Sequence, residues 1–246
     1  MDYRIEKDLL GEVKVPKDAY YGIHTVRACS NFPVSGLKTH PALIRACARV
    51  KQAAASANMY AGLLDSRIGD AVCRAAGEVA AGGLAGQFIV DPFQGGAGTS
   101  TNMNVNEVIA NLAIGILGGQ KGDYHLVHPL EHVNLSQSTN DVYPTALRVA
   151  AIGMVLELSD SLAALQAALQ DKEVEFAGIL KVGRTEMQDA VPVTLGQEFS
   201  AFAEGIARDR WRLYKVEERL RQVNLGGTAV GTGLNANEKY IFAVIE

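Results

Sequence analysis

Three separated stretches of the chain are crowded with hydroxyls, side-chain amides and glycines: Gln94 to Glu107 (QGGAGTSTNMNVNE), Ser136 to Thr145 (SQSTNDVYPT) and Gly183 to Pro192 (GRTEMQDAVP). Such residues make poor core, and solvated surfaces usually carry Lys and Glu instead. Neutral donors on a Gly-rich backbone suit the enclosure of a small anion without a fixed countercharge. The three stretches are therefore expected to be three walls of one site.

Each wall also has a purely structural explanation. The Gln94 stretch is either a connector in which Asn102 and Asn104 cap the next helix, or a helix N-terminus at which Thr99, Ser100 and Thr101 offer hydroxyls to an anion. It is not a nucleotide phosphate loop, since no Gly-Lys-Ser/Thr follows and the G-x-G-x-x-G spacing is absent. In the second stretch Ser136, Gln137, Ser138, Thr139 and Asn140 run into a long helix, so their donors and the helix dipole point the same way. Capping accounts for one or two of these residues but not for five in succession. The third stretch holds Arg184, Thr185, Glu186, Gln188 and Asp189 before Val191-Pro192, and alone it reads as a salt-bridged turn.

A fourth string, His128-Pro129-Leu130-Glu131-His132, matches an inverted zinc-protease motif letter for letter. Five letters carry little information, Pro129 forces a helix to start there, and no clear third ligand follows. A solvated or helix-end histidine cluster that includes His125 is the expectation, with a secondary anion contact as the alternative.

The elements that must position these residues are mostly helical. The first forty residues mix turn formers with short extended runs, which predicts an irregular arm with a small β element. Pro41 to Ala61 reads as an Ala-rich helix opened by Thr39 or His40 and ended by Gly62, and Asp65 to Gly82 repeats the pattern. Val105, Val108, Ile109, Leu112 and Ile116 have helical spacing and predict a helix over Asn104 to Leu117, closed by Gly118-Gly119.

Val142 to about Gln170 reads as a much longer helix, with Asp141 as its cap and Pro144 tolerated in the first turn. Leu195 to about Val223 reads as another, and a further helix begins near Asn237 and runs to Glu246 without a stop signal. The two long helices are apolar on more than one side, so they cannot cover each other; neighbouring subunits are expected to supply partners in an obligate oligomer. The domain boundary is drawn near Asn140, giving residues 1–140 and 141–246.

Composition narrows the partners. A chain of 246 residues with 48% hydrophobic and 20% charged residues is globular. A net charge of −4, a pI near 5.8 and no Lys/Arg run argue against nucleic acid or an anionic membrane as partner. Cys29, Cys47 and Cys73 form no close pair and no zinc spacing, which fits a reducing compartment. The N-terminus is charged from its second residue and is not a secretory signal. The longest apolar run, Val108 to Leu117, is too short to span a bilayer. A cytoplasmic location is expected.

Together the three stretches resemble the aspartase/fumarase superfamily over essentially the whole chain. RIEKDLLGEVKVPKDAYYGIHT, FQGGAGTSTNMNVNEVIAN, HVNLSQSTNDVYPTALR, KVGRTEMQDAVPVTLGQEF and GGTAVGTGLNA carry the likeness, and all look like its ammonia-lyase branch. Fumarases typically read QTGSGTQ where this chain has QGGAGTS, QSSN where it has Gln137-Ser138-Thr139-Asn140, and histidine where it has Glu186.

The resemblance implies a mainly α, L-aspartase-like fold, in which an N-terminal mixed helical domain is followed by the start of a long-helix bundle, normally in a homotetramer with shared active sites. It implies the reversible elimination of ammonia from L-aspartate to give fumarate, without an organic cofactor; divalent metal activation is left open and no metal ligand is assigned. Removing the Cβ proton is the difficult step, and neutral donors aimed at the developing aci-carboxylate ease it. By similarity Thr99, Ser138, Thr139 and Asn140 bind the substrate carboxylates and orient the amino group, with Thr185 contributing.

Glu186 beside a dicarboxylate is repelled unless it faces the α-ammonium; the alternative is a salt bridge with Arg184. The family's Gly-Ser-Ser-x-Met-Pro-x-Lys-x-Asn loop, whose serine is its proposed base, is not among these residues, so no catalytic residue is assigned. The chain is expected to be the N-terminal part of a longer enzyme, inactive alone. The competing readings are a class II fumarate hydratase and a non-catalytic oligomer assembly module.

Overall fold

The computed structural model describes residues 2–246. It is mainly α-helical. The chain opens with an antiparallel hairpin, β1 (Tyr3–Asp8) against β2 (Gly11–Pro16). The helix α1 (Ile23–Asn31) follows where an irregular arm was expected. It has no side-chain cap of its own. Its start is held from elsewhere in the sequence: Glu107 accepts from the backbone N–H groups of Gly22, His24 and Thr25 and from the Thr25 hydroxyl, and Glu6 accepts from the N–H of Ile23. Carboxylates at the positive end of a helix stabilise it.

Helices α2 (Pro41–Tyr60), α3 (Ser66–Ala80) and α4 (Thr99–Ile116) carry most of the core, in which Ile44, Val50, Val72, Val79, Val105, Val108 and Ile109 are buried together. Local chemistry marks the first two starts. The His40 Nδ1 accepts from the N–H of Ala42, and the Asp65 carboxylate accepts from those of Arg67 and Ile68. Helix α4 begins earlier than Asn104: its cap is Gly98, in a left-handed conformation with no side-chain bond. Asn102 and Asn104 are therefore not caps but buried residues within the helix.

Helix α5 (Thr139–Glu175) also starts before its expected first residue and continues past Gln170. Its 37 residues span roughly 55 Å. Asp141 is not the cap. Ser138 occupies that place, its Oγ accepting from the N–H of Asn140, while Asp141 reaches back to the N–H of Ser138 at 2.9 Å, the reciprocal arrangement of a capping box. Pro144 has no N–H to give the carbonyl of Asn140, and that carbonyl accepts from Asn224 Nδ2 at 3.1 Å instead.

Contacts group the chain into two compact units, one ending at Ala150 and rejoined by Val223–Glu246, the other Ala151–Gln222. The boundary drawn near Asn140 marks where helices lengthen; packing divides later, inside α5. Residues 223–246 return because Tyr240, on the short helix α7 (Glu238–Ala243), packs among Ala54, Ala57 and Val244.

The second unit holds the remainder of α5, the antiparallel pair β3 (Leu180–Thr185) and β4 (Gln188–Thr194), and α6 (Leu195–Leu220). Thr194 and Gln197 form a capping box at the start of α6. Phe176 and Phe199 pack with their rings tilted, 5.4 Å between centroids. Leu156, Leu158, Leu165, Phe202, Trp211 and Val216 are exposed. By length and composition α5 is apolar enough to cross a membrane, although Glu157 and Asp160 sit near its middle.

Candidate active site

Two helix N-termini meet in the first unit. At the start of α4, Gly98 has φ 88°, and a Cβ there would stand 2.3–2.5 Å from ring atoms of Tyr143, on α5. Only glycine lets the Gln94 loop approach so closely. Gln94 then fastens the loop to the helix: its amide accepts from the N–H of Thr101 and donates to the Thr101 hydroxyl at 2.9 Å. That hydroxyl also lies 3.3 Å from Thr39 Oγ1. Thr101 is thus occupied and Ser100 is buried, which leaves Thr99, on the first turn of α4, as the exposed hydroxyl of the three.

The second stretch is knitted into the protein residue by residue. Ser136, at φ 62°, donates to Asn58 Oδ1 at 2.8 Å. Gln137 donates to the carbonyls of Val133 and Leu135. Ser138 caps α5, Thr139 Oγ1 accepts from Asn102 Nδ2 at 3.2 Å, and Asn140 Nδ2 donates to the carbonyl of Ala229 at 2.8 Å. All five consecutive polar residues therefore have structural partners, which capping alone did not anticipate. The direction of these bonds matters more than their number. The Ser138 and Thr139 hydroxyls each accept from the protein, so the hydrogen of each remains to be donated elsewhere.

They have somewhere to donate. A cavity of about 450 Å³ is lined on one side by Asn134, Gln137, Ser138 and Thr139, and on the other by Thr228, Val230 and Asn235. The opposite wall is pinned to α5: the N–H of Thr228 donates to Asp141 Oδ2 at 3.0 Å, and the Thr228 hydroxyl donates to the carbonyl of Leu234. Thr228 and Asn235 both adopt positive φ, 57° and 67°, a strained state for residues other than glycine that is often found at functional sites. Thr99 and Asn140 do not line this cavity.

Beneath the floor lies a residue that sequence reasoning did not single out. Lys51 on α2 is fully buried, and its ammonium donates to Asn134 Oδ1 at 2.7 Å and Gln137 Oε1 at 3.0 Å. Burial pulls its pKa down to about 7, against the upward influence of Cys47 and Asp141. The signal was present in the sequence: Cys47, Lys51, Ala54 and Asn58 recur at helical spacing on the buried face of α2, where a lysine and an asparagine interrupt small apolar residues.

The histidine string serves as a helix start. His128 Nδ1 accepts from the N–H groups of Leu130 and Glu131, and His132 Nδ1 accepts from the N–H of His128, around one wide turn over Pro129–Val133. These imidazole nitrogens are committed to backbone. Among the described residues no group of three or more His, Cys, Asp or Glu side chains is gathered to hold a metal ion.

The third stretch belongs to the second unit and forms the end of the β3–β4 hairpin. Thr185 pairs with Gln188, leaving Glu186 and Met187 as a two-residue turn with φ 51° and 62°. Positive φ at both central positions defines the tight turn that suits a hairpin, normally made with Asn and Gly. Thr185 and Glu186 are exposed. The expected alternative of a Glu186–Arg184 salt bridge is not formed: Arg184 instead faces Asp189 across the hairpin at 3.5 Å, both side chains well solvated.

Comparison with known proteins gives consistent relatives. Aspartate ammonia-lyase of a Bacillus species is 53% identical over 245 residues, covering 100% of this chain and 52% of the relative. The enzyme of the same name from Bacillus subtilis (strain 168) is 49% identical over 245 residues, with 100% and 52% covered. Among solved structures, a fumarate lyase:delta crystallin from Brucella melitensis bound to cobalt superposes with a TM-score of 0.97 at 50% identity, covering 99% of this chain and 53% of that one.

A recombinant class II fumarase from Schistosoma mansoni superposes with a TM-score of 0.93 at 36% identity, covering 99% and 51%. The chain spans about half the length of the curated relatives it matches. The family described as Lyase matches residues 11–246, and the chain, with its hydroxyl-rich helix starts and its mainly α architecture, belongs to that lyase family.

Proposed function

We propose that the chain is part of an aspartate ammonia-lyase, and that it supplies the carboxylate-binding wall at which L-aspartate is held while ammonia is eliminated to leave fumarate. One observation carries the reading: Ser138 and Thr139 each accept a hydrogen bond from the protein and keep a hydrogen free to donate to the cavity, at the start of a long helix. Neutral donors and a helix dipole stabilise a carboxylate without a cation in direct contact with it.

Thr99 and Asn140, carried over by similarity, act on the same substrate, as do Thr185 and Glu186 from the hairpin. Asn140 retains its Oδ1 for the substrate amino group, its Nδ2 being bound to Ala229. We assign the protein to the cytoplasm and to a homotetramer with shared active sites. The charges near the middle of α5 favour helices rather than lipid as the cover of its apolar sides.

The isolated 246 residues are expected to bind fumarate without turning aspartate over. Mixing the chain with the C-terminal half of an aspartate ammonia-lyase should restore fumarate release from aspartate, followed at the ultraviolet absorbance of fumarate. Addition of water rather than ammonia to fumarate by the reconstituted enzyme would identify a fumarate hydratase instead. Assembly without either activity would identify a structural module.

A further inference from the structure

Lys51 is a buried cation without a buried anion in contact. Among the described residues no carboxylate lies within ion-pair distance of its ammonium, whose acceptors, Asn134 Oδ1 and Gln137 Oε1, are neutral and belong to residues lining the cavity. Asn134 Oδ1 is crowded further by Asn102 Nδ2 at 3.1 Å and Asn106 Nδ2 at 3.2 Å. An amide oxygen has two lone pairs, so three donors converge on one acceptor, and the Oδ1 atoms of Asn102 and Asn106 are themselves buried without a donor.

The charged and titratable groups facing Lys51 are few. Cys47 lies one turn earlier on α2, its thiol pushed up to about 12 by burial and so neutral, and Asp141 on α5 attracts from a distance. From α4 come only the amides of Asn102 and Asn106. When the amine is protonated, an uncompensated positive charge thus lies under the cavity floor, in a setting where burial makes the charge costly.

We propose that Lys51 is a positioning residue for the dicarboxylate site: it braces the cavity floor through Asn134 and Gln137, and it takes up a proton when a dicarboxylate enters the cavity. This rests on the reading of the cavity as a dicarboxylate site. A neutral amine still has two hydrogens for Asn134 and Gln137, so deprotonation leaves the floor in place and removes only the charge. An anion above the floor favours the ammonium, and by linkage protonation favours the anion to the same extent. Affinity therefore falls as pH rises through about 7, by up to about tenfold per pH unit until the midpoint of the liganded state is passed.

The test is a titration of the 246-residue chain carrying isotope-labelled lysine, with the Lys51 Cε resonance assigned by its loss in Lys51→Arg. The expected result is a midpoint near 7 without ligand, moved upward by saturating fumarate, with fumarate affinity falling severalfold between about pH 6 and 8.5 as that linkage requires. Lys51→Arg, charged throughout, should bind fumarate with no such slope. A brace without electrostatic contact with the ligand would titrate alike with and without fumarate, and that outcome overturns the inference. Fumarate binding of equal strength across the range does so too. Failure of fumarate to bind at any pH overturns the reading of the cavity itself, and this inference with it.

Discussion

At the scale of single residues, the polarity of each hydroxyl decides what the site can hold. Ser138 and Thr139 each already accept one bond, from Asn140 and Asn102, while the hydrogen of each hydroxyl stays free to donate. Glu186 presents the opposite polarity, an acceptor on the tip of a hairpin, and on the proposed reading its counterpart is the ammonium that aspartate has and fumarate lacks. In the reconstituted enzyme Glu186→Gln should weaken aspartate by about 1.5–3 kcal/mol, the usual worth of a charge-assisted hydrogen bond, and leave fumarate inhibition nearly unchanged. Paired measurements of aspartate KM and fumarate inhibition constants decide this, and equal losses on both ligands would remove Glu186 from the ammonium site. The hydroxyls were legible in the sequence because such residues are conspicuous outside the core. Lys51 was not, because a lone lysine on a helix normally reads as a solvated one, and only the small apolar residues at its helical spacing mark it as inward-facing.

At the scale of elements, the long helices followed from periodicity, and Leu195 was legible as the start of α6, whereas the starts of α4 and α5 were not. Helix α4 begins on a glycine that offers no capping side chain, and α5 begins with a serine whose partner, Asp141, itself resembled the cap. Helix α1 lacks a local signal altogether, since its N-terminus is held by Glu107, 85 residues from Gly22. The Gln94 loop depends on Gly98 twice, for its positive φ and for its contact with Tyr143. Gly98→Ala should therefore cost about 1–2 kcal/mol for the left-handed conformation and about 1–3 kcal/mol more for the overpacked ring. Gly118→Ala, at φ 85° but with open space around it, should show only the first of these. Urea midpoints of the two variants read the difference, and similar losses would mean that the Tyr143 contact gives way freely.

At the scale of the whole molecule, the apolar sides of α5 and α6 are exposed well beyond what an isolated unit needs, with Leu165, Phe202 and Trp211 among them. Large exposed apolar areas mark association surfaces. Light scattering behind a sizing column should find the chain larger than its 26.2 kDa monomer, and Leu165→Glu with Phe202→Glu should return it to that size with its helicity retained. A wild-type chain that runs as a monomer would contradict an assembly built on these helices.

Pro144 bears on the order of events as the chain folds. By leaving the Asn140 carbonyl without its helical donor it creates a receptor for Asn224, and the bonds from Thr228 and to Ala229 close beside it, across sequence separations of 84 to 89 residues. The intervening residues include the whole second unit. Contacts so remote must overcome a large loop-closure entropy and tend to form late. The near wall of the cavity, made by the start of α5, is a local structure, whereas the far wall waits for the chain to return. Slow maturation of the cavity is thus built into its connectivity, and on the proposed reading a ligand added during refolding would find it only in the last phase.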